Sequence, residues 1–323
     1  MIFQGGAENM RSKSRLFVAV DILLIIMMIL PIVAGMALKV LTTPLSEGID
    51  VRGARIYFTV PMPVQDLVIT EAQINSWLVL ITLVSLCLYL THGLSVRTPT
   101  KRQLLAEWIV EKVEGLVKDG MGEIFMGFSP FIAAILGLSA FSSLLSLTGL
   151  FPPTSDLNVV AGWAILVFAL ITYYKMKCGP LYYLKGLTEP VAVLTPINLI
   201  GEFATPISMA FRHYGNVLSG TVIATLLAAG LQGATSLLLG WLPGVLGEIP
   251  FLQIGIPAVL SIYFDVFSGC LQAYIFAMLT MMYVSGAFPV EDYEKRKAKK
   301  AAKRKNSQKT INKNNKNKNL EVI

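Results

Sequence analysis

Six long runs of apolar residues, separated by short polar segments, set the pattern of the chain. A helix needs about 20 apolar residues to cross the hydrocarbon core of a bilayer. The runs cover about residues 16–38, 72–92, 129–150, 159–174, 195–231 and 253–288. Because the last two exceed the length of a perpendicular span, they predict tilted helices or a portion in the membrane plane. The pattern predicts an all-α polytopic membrane protein with about six transmembrane helices, two of them long and tilted.

The segments between the runs predict smaller features. From about Thr100 to Glu123, apolar side chains recur every three or four residues opposite charged ones, which is typical of an amphipathic helix at the membrane interface. Residues 42–71 contain prolines and scattered charges, which indicate a small external segment with a short strand at Arg55–Val60. We expect a loop where the chain reads CGPLYYLKGLTEP, from Cys178 to Pro190.

Charge is scarce outside the C-terminal tail. Charged residues make up 15% of the chain and the mean hydropathy is +0.63, whereas soluble domains carry roughly 25% charged residues. Residues 291–323 hold 12 of the 27 Lys and Arg residues and 4 of the 20 Asp and Glu residues, so the tail carries +8 and the rest of the chain −1. Its composition predicts a disordered cytoplasmic tail attracted to anionic headgroups. Charge alone would also permit nucleic-acid binding, but no interleaved aromatic residues or fold support it.

Loop charges orient the spans. Lys and Arg cluster before the first span and after the second, fourth and sixth, whereas the loops at 151–157 and 232–253 contain none. The positive-inside rule therefore places both termini in the cytoplasm. The basic N-terminus also fits a signal peptide, but the first apolar run is too long for one, which favours a retained anchor. We expect four regions: an anchor (1–44), an external segment (45–71), a membrane domain (72–290) and a basic tail (291–323).

One charge in the membrane domain is unusually costly. Arg212 is the only Lys or Arg between Lys185 and Lys295, and it lies in the middle of an apolar helix. A guanidinium stays ionised, and a central Arg costs about 2.5–3.5 kcal/mol in a membrane helix. Such a charge needs a partner or a water-filled pathway. It could pair with a resident acid simply to hold helices together, but Glu202 is ten residues away, about 15 Å along the axis.

Polar residues accompany Arg212 on its own helix and on the last one. Asn216 lies one turn further on the same face, and Thr221 ends a strip of small and polar residues beyond it. At about 100° per residue, three polar residues of the last helix lie within about 20° of one another; they are Asp265, Gln272 and Tyr283. Since ionisable residues inside a membrane indicate function, this row predicts a hydrated half-path.

Two segments resemble signature motifs of one family. PISMAFRHYGNVLSG, which contains Arg212, is similar to the signature helix of subunit a of F-type ATP synthases, roughly P-x-S-x-x-x-R-L-[FY]-G-N-x-x-[AS]-G. GCLQAYIFAMLTMMYVSGA resembles the final-helix motif of the same family, and PPTSDLN also matches. The resemblance covers about residues 72–290. His213 departs from the pattern, which usually has an apolar residue there, and we expect it to serve packing or an interface.

The resemblance implies roles for the polar residues. Arg212 would be the essential stator arginine that separates two half-channels, with Asn216 and Gln272 beside it. Asp265 and Thr221 would serve the outer path, and Glu202 and Asn198 the cytoplasmic one.

The resemblance also implies partners: a ring of c subunits, a b-subunit stalk, the bilayer, and transported H⁺ or Na⁺. It places the chain in the bacterial plasma membrane and implies no cofactor, metal site or catalytic residue. The first alternative is a secondary transporter or simple channel that uses Arg212 to bind an anion. It should show inverted repeats, and the sequence shows none between its halves. A membrane hydrolase, the second, should show a Ser/His/Asp grouping or an HExxH motif, and neither is present.

Overall fold

The computed structural model describes most of the chain. The described residues are 2–42, 53–63, 66–96, 99–177, 179–188, 191–239, 255–256, 259–260, 262–290, 293 and 298. Parts of the predicted external segment, of the loop at 232–253 and of the last apolar run therefore lie outside the described residues, as does nearly all of the basic tail.

Helices account for nearly all of the regular structure among the described residues. The α-helices of nine or more residues are α1 (Ile2–Thr42), α2 (Glu71–Thr91), α3 (Lys101–Met121), α4 (Ser129–Leu144), α5 (Leu157–Met176), α6 (Pro180–Thr188), α7 (Thr195–Leu239) and α8 (Gly269–Ala287). Short 3-10 helices cover Glu123–Phe128, Leu145–Thr148, Pro153–Ser155 and Ala192–Leu194. A π-helical segment, Ile262–Ser268, leads into α8.

Six helical stretches among the described residues are long and apolar enough to cross a membrane. They are Arg15–Thr42, Glu71–Thr91, Glu123–Thr148, Leu157–Met176, Thr195–Leu238 and Ile262–Ala287. This result confirms the all-α polytopic fold and the predicted number of spans. The amphipathic α3 also lies where the sequence predicted it, with Leu104, Trp108 and Ile109 exposed, as expected for apolar side chains that meet lipid.

The predicted external segment contains a β-hairpin. Its strands, β1 (Ile56–Val60) and β2 (Leu67–Thr70), pair antiparallel, with Val60 opposite Leu67. The first strand was predicted and the second was not. The second strand ends at Thr70, directly before α2 begins at Glu71. The Glu71 amide donates to the Arg55 carbonyl at 2.7 Å, which ties the start of α2 to the hairpin.

The predicted loop at 178–190 was wrong, because residues 180–188 form α6. Gly179 has a φ of +109°, which favours glycine. Pro180 then occupies the first helical position, where its fixed φ suits a helix and its missing amide hydrogen costs nothing. The same Gly-Pro pair that suggested a loop therefore starts a short helix.

The chain forms two compact units, residues 1–164 with 207–281 and residues 165–206 with 282–323. In the first unit, α1 packs along α2, and α4 contacts both α2 and α3. One apolar cluster joins Val79 of α2 to Leu145 and Leu150. A second joins Val160 and Ala164 of α5 to Ala210 of α7. The second cluster packs α7 against α5 two residues before Arg212.

A polar cluster ties α1 to the helices that follow it. Nη1 of Arg102 donates hydrogen bonds of 2.9 Å to both carboxylate oxygens of Asp21. Oδ1 of Asp21 also lies 2.9 Å from His92 Nδ1. Phe17 stacks on the His92 ring with centroids 4.2 Å apart. A Cβ at Gly93 would lie 2.5 Å from the Phe17 ring, and the φ of Gly93 is +78°, so glycine alone fits there. Asp21 thus has a structural role at the end of the first span.

Candidate functional site

Arg212 projects from the middle of α7 and is exposed on the protein surface. Among the described residues it has no hydrogen bond or ion pair. A permanent cation in an apolar span is stable only if water or another molecule supplies its partner.

A direct hydrogen bond joins α7 to α8 one turn beyond Arg212. The Asn216 amide Nδ2 donates to Gln272 Oε1 at 2.6 Å. Gln272 is only 2% exposed, so this carbonyl depends on Asn216 for its partner. The structure thus brings together two residues that the sequence had placed on different helices.

The helices come close again two turns beyond Arg212. Gly220 is buried, and a Cβ at this position would lie 3.1 Å from the ring of Phe264. Thr221 and Asp265 are the next residues along each segment. Thr221 donates to its own helix, at the Val217 carbonyl, and Asp265 is half-buried.

The predicted polar row on the last helix needs a correction. The predicted alignment requires a regular α-helix from Asp265 to Tyr283, but residues 262–268 are π-helical. A π-helix bonds residue i to i+5 and so has a different rotation per residue. Asp265 therefore does not align with Gln272 as computed, although π-helical turns occur frequently at functional sites.

His213, the residue after Arg212, is packed into the interior, about 100° around α7 from Arg212. It is 0% exposed and lies between Trp163 and Phe276, with ring centroids 6.1 and 5.6 Å away. Its Nε2 is 3.4 Å from the Ser139 hydroxyl. The packing role expected for His213 is confirmed, and this burial holds α7 in the rotation that turns Arg212 outward.

The second unit contains a separate polar cluster centred on Glu202. Lys175 of α5 donates to Glu202 Oε1 at 2.6 Å, and the Tyr183 hydroxyl of α6 donates to Oε2 at 2.5 Å. Burial, together with the hydrogen bond to Glu202 and the charge of its carboxylate, raises the pKa of Tyr183 to about 12. Tyr183 therefore remains a hydrogen-bond donor throughout the physiological range.

Two cavities adjoin Glu202. One of about 720 Å³ is lined by residues of α6 and α7 that include Tyr183, Asn198 and Glu202. The other, of about 230 Å³, is lined by Glu202, Thr205 and Tyr283 among others. Glu202 thus lines both cavities, Asn198 lines the larger one, and Tyr283 lines the smaller one.

Sequence reasoning missed Lys175 and Tyr183. Lys175 was considered only as one of the loop charges that orient the spans, and Tyr183 lay in the segment predicted as a loop. Glu202, near the start of α7, could have indicated them, because a buried carboxylate requires a hydrogen-bonding or charged partner. No group of three His, Cys, Asp or Glu side chains among the described residues is placed to hold a metal ion.

These features define a polytopic membrane protein with ionisable groups at membrane depth, the class that contains ion-translocating subunits. The chain belongs to the ATP synthase A chain family, whose family model matches residues 74–285.

Individual relatives agree with this assignment. The sodium ion specific ATP synthase subunit a of Propionigenium modestum is 29% identical over 284 residues, covering 78% of this chain and 89% of the relative. ATP synthase subunit a of Anoxybacillus flavithermus is 33% identical over 239 residues, covering 67% and 96%. The Bacillus pumilus subunit is 33% identical over 208 residues, covering 60% and 82%. The chain is the ion-translocating stator component of an F0 sector and works within an ATP synthase complex.

Proposed function

We propose that this chain forms two half-channels against a ring of c subunits in the plasma membrane of a bacterium, with Arg212 separating them. A b-subunit stalk holds the chain still, and both termini lie in the cytoplasm, as the loop charges indicate. The chain itself catalyses no nucleotide chemistry. The observation that carries the proposal is an exposed arginine, in the middle of an apolar span, without a partner among the described residues.

The missing partner is a carboxylate that each c subunit delivers in turn. A carboxylate faces lipid at low cost only when it is protonated. An ion that enters from outside, by a path near Asp265 and Thr221, neutralises this carboxylate before it turns into lipid. After rotation the ion leaves towards the cytoplasm past Glu202 and Asn198, with Tyr283 beside the same cavity. The charge of Arg212 attracts the ionised carboxylate and repels a cation crossing directly.

The pair formed by Asn216 and Gln272 supports Arg212 in this scheme. Their hydrogen bond of 2.6 Å joins the two helices one turn from the guanidinium, which fixes the surface presented to the ring. The transported ion is H⁺ or Na⁺. The carboxylate that selects between them lies on the ring, so the residues of this chain do not decide it. Exchanging Na⁺ for K⁺ in a pumping assay distinguishes the two.

The decisive variant is Arg212→Ala in the complete complex reconstituted into vesicles. We expect ATP-driven acidification to be lost, because no fixed charge then prevents ions from crossing between the half-channels. Arg55→Ala, which removes an arginine from the external hairpin, is the matched control and should pump normally. Co-purification of the variant with the ring of small hairpin subunits shows that assembly is intact. Acidification that persists in an assembled Arg212→Ala complex would overturn the proposal.

A further inference from the structure

Lys177, the residue directly after α5, lies over four aromatic rings. Its ammonium nitrogen Nζ is 4.9 Å from the ring centroid of Tyr174, 5.2 Å from that of Phe288, 5.7 Å from that of Tyr293 and 6.0 Å from that of Tyr173. A cation within about 6 Å of a ring centroid is attracted by the negative face of the ring. Two of the rings belong to α5 and two to the residues after α8. We call the four rings the aromatic cage.

Local backbone geometry brings the two halves of the aromatic cage together. The Lys177 amide donates to the Tyr174 carbonyl at 3.2 Å, in a turn that ends α5. Beyond α8, the Tyr293 amide donates to the Pro289 carbonyl at 3.0 Å, and this turn places the Tyr293 ring 5.1 Å from that of Phe288. Phe288 is only 7% exposed and packs edge-on against Tyr174, with centroids 5.7 Å apart. The cage is therefore a packed contact between the end of α5 and the residues after α8.

The charge of Lys177 is directed at the aromatic cage alone. Among the described residues its side chain makes no hydrogen bond and no ion pair. The residue is exposed, so its ammonium keeps contact with water while its stem and charge lie on the rings. Because the rings come from two segments, one ammonium attracts both of them. Loss of the charge would therefore weaken the contact between those segments.

The aromatic cage adjoins two elements that line the cavities beside Glu202. Lys175, two residues before Lys177, donates to Glu202 Oε1 at 2.6 Å. Ala287, the residue before Phe288, lines both cavities. The smaller cavity has walls from both elements, among them Ile171 and Lys175 of α5 and Tyr283, Gly286 and Ala287 of α8. Separation of the end of α5 from the end of α8 would therefore displace Lys175 and the walls of this cavity.

We propose that Lys177 is a positioning residue of the half-path beside Glu202, because its ammonium in the aromatic cage fastens the end of α5 to the residues after α8. The inference rests on the proposed function, in which ions leave past Glu202. The fastened helix end sets where the Lys175 ammonium meets the Glu202 carboxylate. Lys177 itself touches no transported ion and acts through this geometry.

The test separates charge from packing at Lys177. Lys177→Met keeps a long apolar side chain and removes the charge, whereas Lys177→Arg keeps a cation that stacks on aromatic rings. The first measurement is hydrogen exchange at the amides of Val290 and Tyr293 in the complete complex, because both donate to carbonyls within the fastened segment. The second is ATP-driven acidification by the same complex in vesicles. Lys112→Met removes an exposed lysine of α3 and is the matched control.

We expect Lys177→Met to exchange these amides about fivefold faster and to acidify about fivefold more slowly. This factor corresponds to about 1 kcal/mol, the upper value for a cation over a ring at an exposed site. Lys177→Arg and Lys112→Met should match the parent in both measurements. If Lys177→Met does not assemble, Tyr293→Leu replaces it, with Tyr293→Phe, which keeps the ring, as its control; the changes should have the same direction.

Three outcomes would overturn the inference. Exchange in Lys177→Met equal to that of the parent would show that the charge does not fasten the two segments. Faster exchange with unchanged acidification would remove Lys177 from the half-path. Equal effects of Lys177→Arg and Lys177→Met would exclude the attraction between cation and rings. Hydrogen exchange does not depend on Arg212, so persistent acidification in Arg212→Ala would refute the proposed function and leave the exchange result unaffected.

Discussion

The hydrogen bond between Asn216 and Gln272 gives the sharpest prediction about the centre of the membrane domain. The perturbation is a set of three variants, Asn216→Leu, Gln272→Leu and the double variant. Each single replacement leaves one amide without its partner, and the Gln272 side chain is 2% exposed. The double replacement removes both amides and fills the space with apolar side chains of similar size, so no polar group remains unsatisfied.

The magnitude follows from the contact. An unsatisfied buried amide costs about 1–3 kcal/mol in a soluble protein, and hydrogen bonds between membrane helices average about 0.6 kcal/mol with a maximum near 1.7. The 2.6 Å distance and the burial of Gln272 place this bond towards the upper part of that membrane range, at about 1 kcal/mol. This free energy corresponds to about a fivefold change in rate or equilibrium constant.

The assay is the initial rate of ATP-driven acidification by the complete complex in vesicles. If the two amides act as a unit, each single variant pumps about fivefold more slowly and the double variant is no slower than either single one. Thr280→Val is the control, because the Thr280 hydroxyl is equally buried but donates within its own helix, to the Phe276 carbonyl at 2.8 Å. Independent effects, in which the double variant loses about 25-fold, would refute the argued coupling.

Three other expectations concern Asp265, the N-terminal helix and α6. Asp265→Asn should slow ATP-driven acidification while assembly is retained, because an amide cannot relay a proton; unchanged transport would exclude Asp265 from the outer path. Arg102→Ala should lower the denaturation temperature of the solubilised complex, because it removes the cation bonded to Asp21. A thermal denaturation experiment measures this, with Lys101→Ala as control, and equal denaturation temperatures in the two variants would contradict it. Ultraviolet titration should show one tyrosine with a pKa of about 12 that is absent from Tyr183→Phe. Because this folded pKa exceeds the ordinary value of 10.0, the stabilisation is complete below pH 10 and is lost between about pH 10 and 12; a titration identical in the variant would contradict it.

The sequence was sufficient for the spans because crossing a bilayer depends on the local apolar content of one segment. Residues 71–91 and 157–176 needed no information about their neighbours to be recognised. The cost of Arg212 was equally visible, since a charge in an apolar run is unfavourable whatever surrounds it. The packing of His213 could be expected, but the residues around it could not, because Ser139, Trp163 and Phe276 come from three other helices.

Local backbone geometry was less predictable. The rotation per residue changes in the π-helical segment 262–268, and a calculation at 100° per residue cannot detect this. The helix α6 was missed for a related reason, since a Gly-Pro pair begins a helix or a turn according to what the following residues contact. Tyr183 contacts Glu202, nineteen residues away, and that contact favours the helix.

The number of spans, the family and the position of one costly arginine could all be predicted from the sequence, because each depends on a single segment and its solvent. Which polar groups meet depends instead on the packed arrangement of the helices. Asn216 bonds Gln272 across 56 residues, and Glu202 bonds Lys175 across 27. Such pairs depend on how two helices approach and rotate, and this geometry is set by packing of many side chains together rather than by the hydropathy of either helix.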